Sequence, residues 1–150
     1  MENSIPRIEK YLEEVIRRDS SDLHLQVGLP AMLRIDGKLT PVEDKLSLSE
    51  KDIEELLGTI LDTDQKAKLD KNRELDFSFA FGDLGRFRVN AFHEKGNLAA
   101  ALRLIPTKIR TVDELGLPQV ISQFTQLPRG LVLLTGPTGL GKSKIGRAHV

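Results

Sequence analysis

The stretch Gly136-Pro137-Thr138-Gly139-Leu140-Gly141-Lys142-Ser143 carries the most specific chemical pattern in the sequence. It is a full match to G-x-x-x-x-G-K-[ST]. In that pattern the glycines let the backbone curl so that successive N–H groups converge on phosphate oxygens. Lys142 is the candidate catalytic residue, its ammonium set against the β- and γ-phosphates. Ser143 is the candidate metal ligand, its hydroxyl directed to Mg²⁺. A helix following the loop would aim its N-terminus at the same anion. ATP and Mg²⁺ are therefore the expected cofactors, held by Gly136, Pro137, Thr138, Gly139, Leu140, Gly141, Lys142 and Ser143. The motif fixes only four positions, so chance matches occur. Here it stands directly behind the apolar run Leu131-Val132-Leu133-Leu134-Thr135, which has the composition of a strand covered on both faces. That placement favours a nucleotide site, although many different machines use one.

The bulk composition narrows the classes. A chain of 150 residues has room for one ordinary domain, or for a small domain and part of another. Its 22 basic and 22 acidic side chains cancel, which argues against a protein held to nucleic acid by charge, and no nucleic-acid partner is expected. A hydrophobic content of 39% with 29% charged residues fits a soluble globular chain. No window reaches the length of a membrane span, and no signal peptide opens the sequence. Cysteine is absent, which excludes disulfides and thiolate metal sites and makes the cytoplasm the expected compartment.

The elements that must position a site are read from periodicity. Ile5, Ile8, Leu12, Val15 and Ile16 fall on one face of a helix at the start of the chain. In "DLHLQV" the period changes to two: Leu23, Leu25 and Val27 share one face, and Asp22, His24 and Gln26 the other. A loop, a strand, a tight Asp36-Gly37 turn and another strand follow. Ser49 with Asp52 can cap a helix over "SEKDIEELLGTIL", and "DTDQKAKLDKN" supplies a short charged one. Leu75, Phe77, Phe79 and Phe81 alternate with Asp76, Ser78 and Ala80. After the turn "GDLG", Phe87, Val89 and Ala91 alternate with Arg86, Arg88 and Asn90, and "NLAAALRLI" completes a meander. The phenylalanine stripe reads as core rather than as a platform for bases, because its neighbours are Asp and Ser rather than basic residues. His24 and His93 are isolated and make no metal signature. Asp36 serves the turn. "PTKIRTVDELGLP" reads as a connector with a short capped helix starting at Thr111, and "PQVISQFTQLPRG" as a short helix and loop.

Four blocks, "SDLHLQVGLPAMLRIDGKL", "GRFRVNAFHEKG", "LRLIPTKIRTVDELGLP" and "LPRGLVLLTGPTGLGKS", occur in the order and spacing of the type IV pilus retraction ATPases, a branch of the type II/IV secretion ATPase superfamily. The resemblance covers nearly all of residues 5–143. It implies an α+β PAS-like N-terminal domain over residues 1–105 and a linker over 106–117. Residues 118–143 are then the first strand and P-loop of an incomplete RecA-like α/β ATPase domain. It also implies a homo-hexameric motor at the cytoplasmic base of the pilus, associated peripherally with the inner membrane through the pilus platform. In that family ATP turnover drives pilus retraction and twitching motility. Arginines of the N-terminal domain approach the nucleotide, and Arg86, Arg88 and Arg103 are the candidates here, with Arg34 read as part of a solvated face. The alternative is a non-catalytic interaction module from a paralogous pilus or type II secretion ATPase.

The family pattern continues past "GKS" with an acidic box, a Walker B region and a histidine box, none of which lies in these residues. The chain is therefore expected to be an N-terminal part that cannot hydrolyse ATP by itself. "KIGRAHV", residues 144–150, departs from the pattern at Lys144 and back-translates to the start of a common short-read sequencing adapter, so it is expected to be a non-native tail. With no neighbouring strands in the chain, each Leu or Val of the run before the loop is expected to forgo about 1.5–3 kcal/mol of burial.

Overall fold

The computed structural model describes residues 7–43, 45–105, 111–124, 126–136 and 145. The chain divides into two units, Met1–Thr107 and Lys108–Val150.

The first unit opens with helix α1, Ile8–Arg17, which buries Ile8, Tyr11, Leu12 and Val15 at the i, i+3, i+4, i+7 spacing of a single face. Ile16 packs partly against the same core, and Ile5 lies outside the described residues. Strands β1 (Asp22–Leu25), β2 (Met32–Ile35) and β3 (Lys38–Pro41) form one antiparallel meander. Asp36 and Gly37 join β2 to β3 with φ of 49° and 79°, so both turn residues are left-handed. This is the turn that matches strand twist, and it favours Asp-Gly. Helices α2 (Glu50–Gly58) and α3 (Thr63–Asn72) follow. A second meander, β4 (Glu74–Phe81), β5 (Gly85–Glu94) and β6 (Asn97–Ile105), completes the unit.

Both helices begin with reciprocal caps. Ser49 N donates to Asp52 Oδ2 at 2.6 Å while Asp52 N donates to Ser49 Oγ at 3.3 Å. At α3, Asp62 and Gln65 make the equivalent pair at 3.1 and 2.8 Å. Each box satisfies backbone donors that the helix cannot. Ser49→Ala is expected to lower stability by about 1 kcal/mol, measured as a lower urea midpoint of the first unit.

The two meanders join through β1 and β6, which pair antiparallel from Asp22↔Arg103 to Leu25↔Ala100. The result is one six-stranded sheet in the order β3-β2-β1-β6-β5-β4, antiparallel throughout. One face carries Leu23, Leu25, Leu33, Phe87, Val89, Ala91, Ala100 and Leu102, buried with the apolar residues of α1 and α2 in a single core. Phe77, Phe79 and Phe81 on the edge strand β4 pack partly against it, in the core role their alternation predicts. An antiparallel sheet with helices on one face leaves its other face to polar side chains.

The second unit is described in less of its length. Thr111 N donates to Glu114 Oε2, and Glu114 N donates to Thr111 Oγ1, so the expected cap at Thr111 is made. It starts a single turn and no helix: Leu115 N reaches Thr111 O, and Gly116, with φ of 62°, then turns the chain ahead of Pro118. Helix α4, Val120–Phe124, buries no residue. The apolar run Leu131–Leu134 is exposed, from 42% at Leu134 to 83% at Leu131, and no strand forms across Leu131–Thr135. The expectation of a strand there is corrected. A strand is stabilised only by a neighbour that completes its hydrogen-bond ladder, and among the described residues none pairs with this run.

Candidate functional site

Of the phosphate loop, Gly136 is described, with φ of 150°. Pro137, Thr138, Gly139, Leu140, Gly141, Lys142 and Ser143, the candidate catalytic and metal-binding positions among them, lie outside the described residues. The other candidates, the arginines, lie on the open face of the sheet in the first unit.

Register assembles them. Leu39, Arg34, Asp22, Arg103, Arg88 and Ser78 stand opposite one another in that order, one from each strand across the whole sheet. The next row along contains Met32, His24, Ala101, Asn90 and Asp76. Arg86 lies on the other side of the first row, opposite Ala80 and Ile105. Arg86, Arg88 and Arg103 are therefore brought together on two adjacent strands, all three exposed. Arg34, set aside as a solvated residue, belongs to the same row.

The centre of the row is a carboxylate. Asp22 is 5% exposed, and its Oδ1 accepts from Arg103 Nε at 2.8 Å. Its Oδ2 accepts from Ser21 Oγ at 2.7 Å, and Arg34 Nε stands 3.6 Å from that oxygen. Burial by itself would raise the pKa of Asp22. The Ser21 and Arg103 hydrogen bonds and the Arg103 charge together outweigh it and hold the carboxyl below its ordinary value. Arg88 is paired more loosely, with Nε 3.6 Å from Asp76 Oδ1, and both side chains are exposed. Pairs of that kind contribute about 0–1 kcal/mol.

His24 lies beside this centre, with Nε2 3.4 Å from Arg34 Nη2. Burial and then the Arg34 charge lower its pKa, and the opposing pull of Asp22 is smaller. A guanidinium only donates, so a bond here requires a neutral imidazole with its proton on Nδ1. His93, at the other end of the sheet, faces the Arg73 carbonyl. Among the described residues no cluster of His, Asp or Glu could hold a metal ion, and no helix is long and apolar enough to cross a membrane.

Period-two reading assigned Asp22 to the polar face but gave no sign of its burial. What buries it is a strand some 80 positions away, β6, and a one-strand pattern carries no information about cross-strand partners.

No protein-family model matches the sequence. The type IV pilus retraction ATPase PilT of Pseudomonas aeruginosa is 42% identical to it over 127 residues, covering 85% of this chain and 37% of that protein. A solved structure of the pilus retraction motor PilT with bound ADP superposes with a TM-score of 0.71 at 38% identity, over 94% of this chain and 41% of the other. The ATPase DotB of Legionella pneumophila superposes with a TM-score of 0.80 at 26% identity, over 99% of this chain and 43% of the other. The chain thus spans less than half the length of each of these relatives. In sequence and in fold it is similar to part of the PilT-type pilus retraction ATPases.

Proposed function

We propose that this chain is the N-terminal part of a hexameric ATPase motor that hydrolyses ATP to drive type IV pilus retraction, and with it twitching motility. The observation that carries the reading is the 42% identity to a retraction ATPase, in a chain that also contains the complete phosphate-loop motif from Gly136 to Ser143. The donor set suits a nucleotide and its metal: glycines whose amides can converge on phosphate, the Lys142 ammonium and the Ser143 hydroxyl. Bound there, Mg²⁺ supplies charge neutralisation at the phosphates. Lys142 binds and orients the terminal phosphates, and the backbone from Gly136 to Gly141 cradles the rest. A similar solved structure described with ADP bound supports a nucleotide as the ligand. Arg86, Arg88 and Arg103 are the candidate nucleotide-facing residues of the first unit.

In this reading residues 1–105 are the PAS-like domain, 106–117 the linker, 118–143 the start of the RecA-like ATPase domain, and 144–150 a tail outside it. The motor works at the cytoplasmic side of the inner membrane on the pilus platform, and the 150 residues alone do not hydrolyse ATP. A chimera tests this: residues 1–143 replace the matching region of the Pseudomonas aeruginosa retraction ATPase. ATP hydrolysis and twitching are expected, and Lys142→Ala in the chimera is expected to abolish both. A folded chimera without ATPase activity would leave the interaction-module reading in its place.

A further inference from the structure

Arg88 and Arg103 stand directly opposite each other on β5 and β6. Like charges so placed destabilise a sheet unless something offsets them. Two carboxylates do, one from each flanking strand, and they are not equivalent. Asp22, on β1, is held by two hydrogen bonds, from Arg103 Nε at 2.8 Å and Ser21 Oγ at 2.7 Å, with Arg34 Nε adding charge at 3.6 Å. Its side chain is 7% exposed, while that of Arg103 is 71% exposed. A guanidinium bonded through Nε is restricted in its reach and keeps both terminal nitrogens free to donate to another acceptor. Asp76, on β4, is 52% exposed and 3.6 Å from Arg88 Nε, beyond hydrogen-bond range. It neutralises Arg88 without fixing it.

We propose that Asp22 and Asp76 play opposite parts at a polyphosphate site on this face: Asp22 is a positioning residue that fixes Arg103 for the anion, and Asp76 is a counter-ion that the anion displaces from Arg88. This rests on the reading of these arginines as nucleotide-facing, and adds to it two carboxylates with effects of opposite sign. Charge alone gives a different result. Replacing either Asp by Asn removes one negative charge beside an anion, so both changes would tighten binding.

The test titrates the ¹⁵N-labelled 150-residue chain with inorganic tripolyphosphate and follows the Nε–Hε signals of Arg88 and Arg103. Those signals report on this face whatever the phosphate loop does. Asp76→Asn is expected to tighten binding by about threefold. Asp22→Asn is expected to weaken it by about tenfold, and the Arg103 Nε–Hε proton then exchanges faster with water. Ser21→Ala keeps every charge but frees one side of the Asp22 carboxylate. It weakens binding in the same sense, and carries the test if Asp22→Asn does not fold. Tighter or unchanged binding in Asp22→Asn, or in Ser21→Ala, overturns the positioning role. Weaker or unchanged binding in Asp76→Asn overturns the competing one. If the wild-type arginine signals ignore tripolyphosphate, the nucleotide-facing reading itself falls, and the proposal with it.

Discussion

Phe87→Ala is expected to destabilise the first unit by about 3–5 kcal/mol, enough to unfold a domain of ordinary stability in part of the population. Phe87 is 0% exposed near the start of β5, opposite Phe79 on one side and Leu104 on the other. It stacks on Phe79 with ring centroids 5.7 Å apart and meets Phe81 edge-on at 6.3 Å. Truncation removes its own burial and both ring contacts, and leaves a cavity between an edge strand and the helices that cannot collapse without shifting β4. The same change at Phe79 is expected to cost less, about 1–3 kcal/mol, because that ring is only partly buried on an edge strand. Urea denaturation resolves the two. Tyr11 is the single tyrosine in a chain without tryptophan, and it is fully buried in this core, so its fluorescence reports the first unit alone. Equal midpoints for the two variants would mean that β4 and β5 share the load evenly.

The core just described was legible in the sequence because burial imposes a period. Leu75 to Phe81 and Phe87 to Ala91 announce their buried faces by alternation, and Ser49 with Asp52 announces a helix start by chemistry that acts over three residues. The phosphate-loop motif is legible for another reason: a loop of that kind depends on backbone curl and two side chains within eight consecutive positions. The arginine row is a different kind of object. Arg34, Asp22, Arg103 and Arg88 come from four strands, and nothing local in "LRLI" or "SDLHL" says that they will meet. Only the pairing of β1 with β6 brings Asp22 to Arg103, and that pairing is a choice among several sheet orders. The run Leu131–Thr135 shows the converse limit. Its composition is that of an interior strand, but a strand is a relation between segments, and composition supplies only one side of it.

The half-buried Asp22–Arg103 ion pair gives the last prediction its sign. Arg103→Met keeps the length and the apolar stem but removes the partner that Asp22 holds at 2.8 Å. It is expected to cost about 1–3 kcal/mol near neutral pH, less than for a fully buried pair because the Arg103 end is open to water. In the wild type the folded-state pKa of Asp22 lies below the ordinary value of 3.8. The unfolded chain then binds the proton more readily, so this group's contribution is complete above the unfolded pKa and is lost as pH falls through the folded one. In Arg103→Met the burial of Asp22 loses two of its opponents, the Arg103 hydrogen bond and charge, while the larger Ser21 hydrogen bond stays, so the lowering is reduced. The stability gap between wild type and variant should therefore narrow as pH is taken from about 6 to about 3. Carboxylates elsewhere titrate alike in both proteins, so the difference isolates the pair. Urea midpoints at a series of pH values, read through Tyr11, measure it. A gap that stays constant across that range would place the cost in lost packing of the arginine stem, and Asp22 would then hold its charge without the help of Arg103.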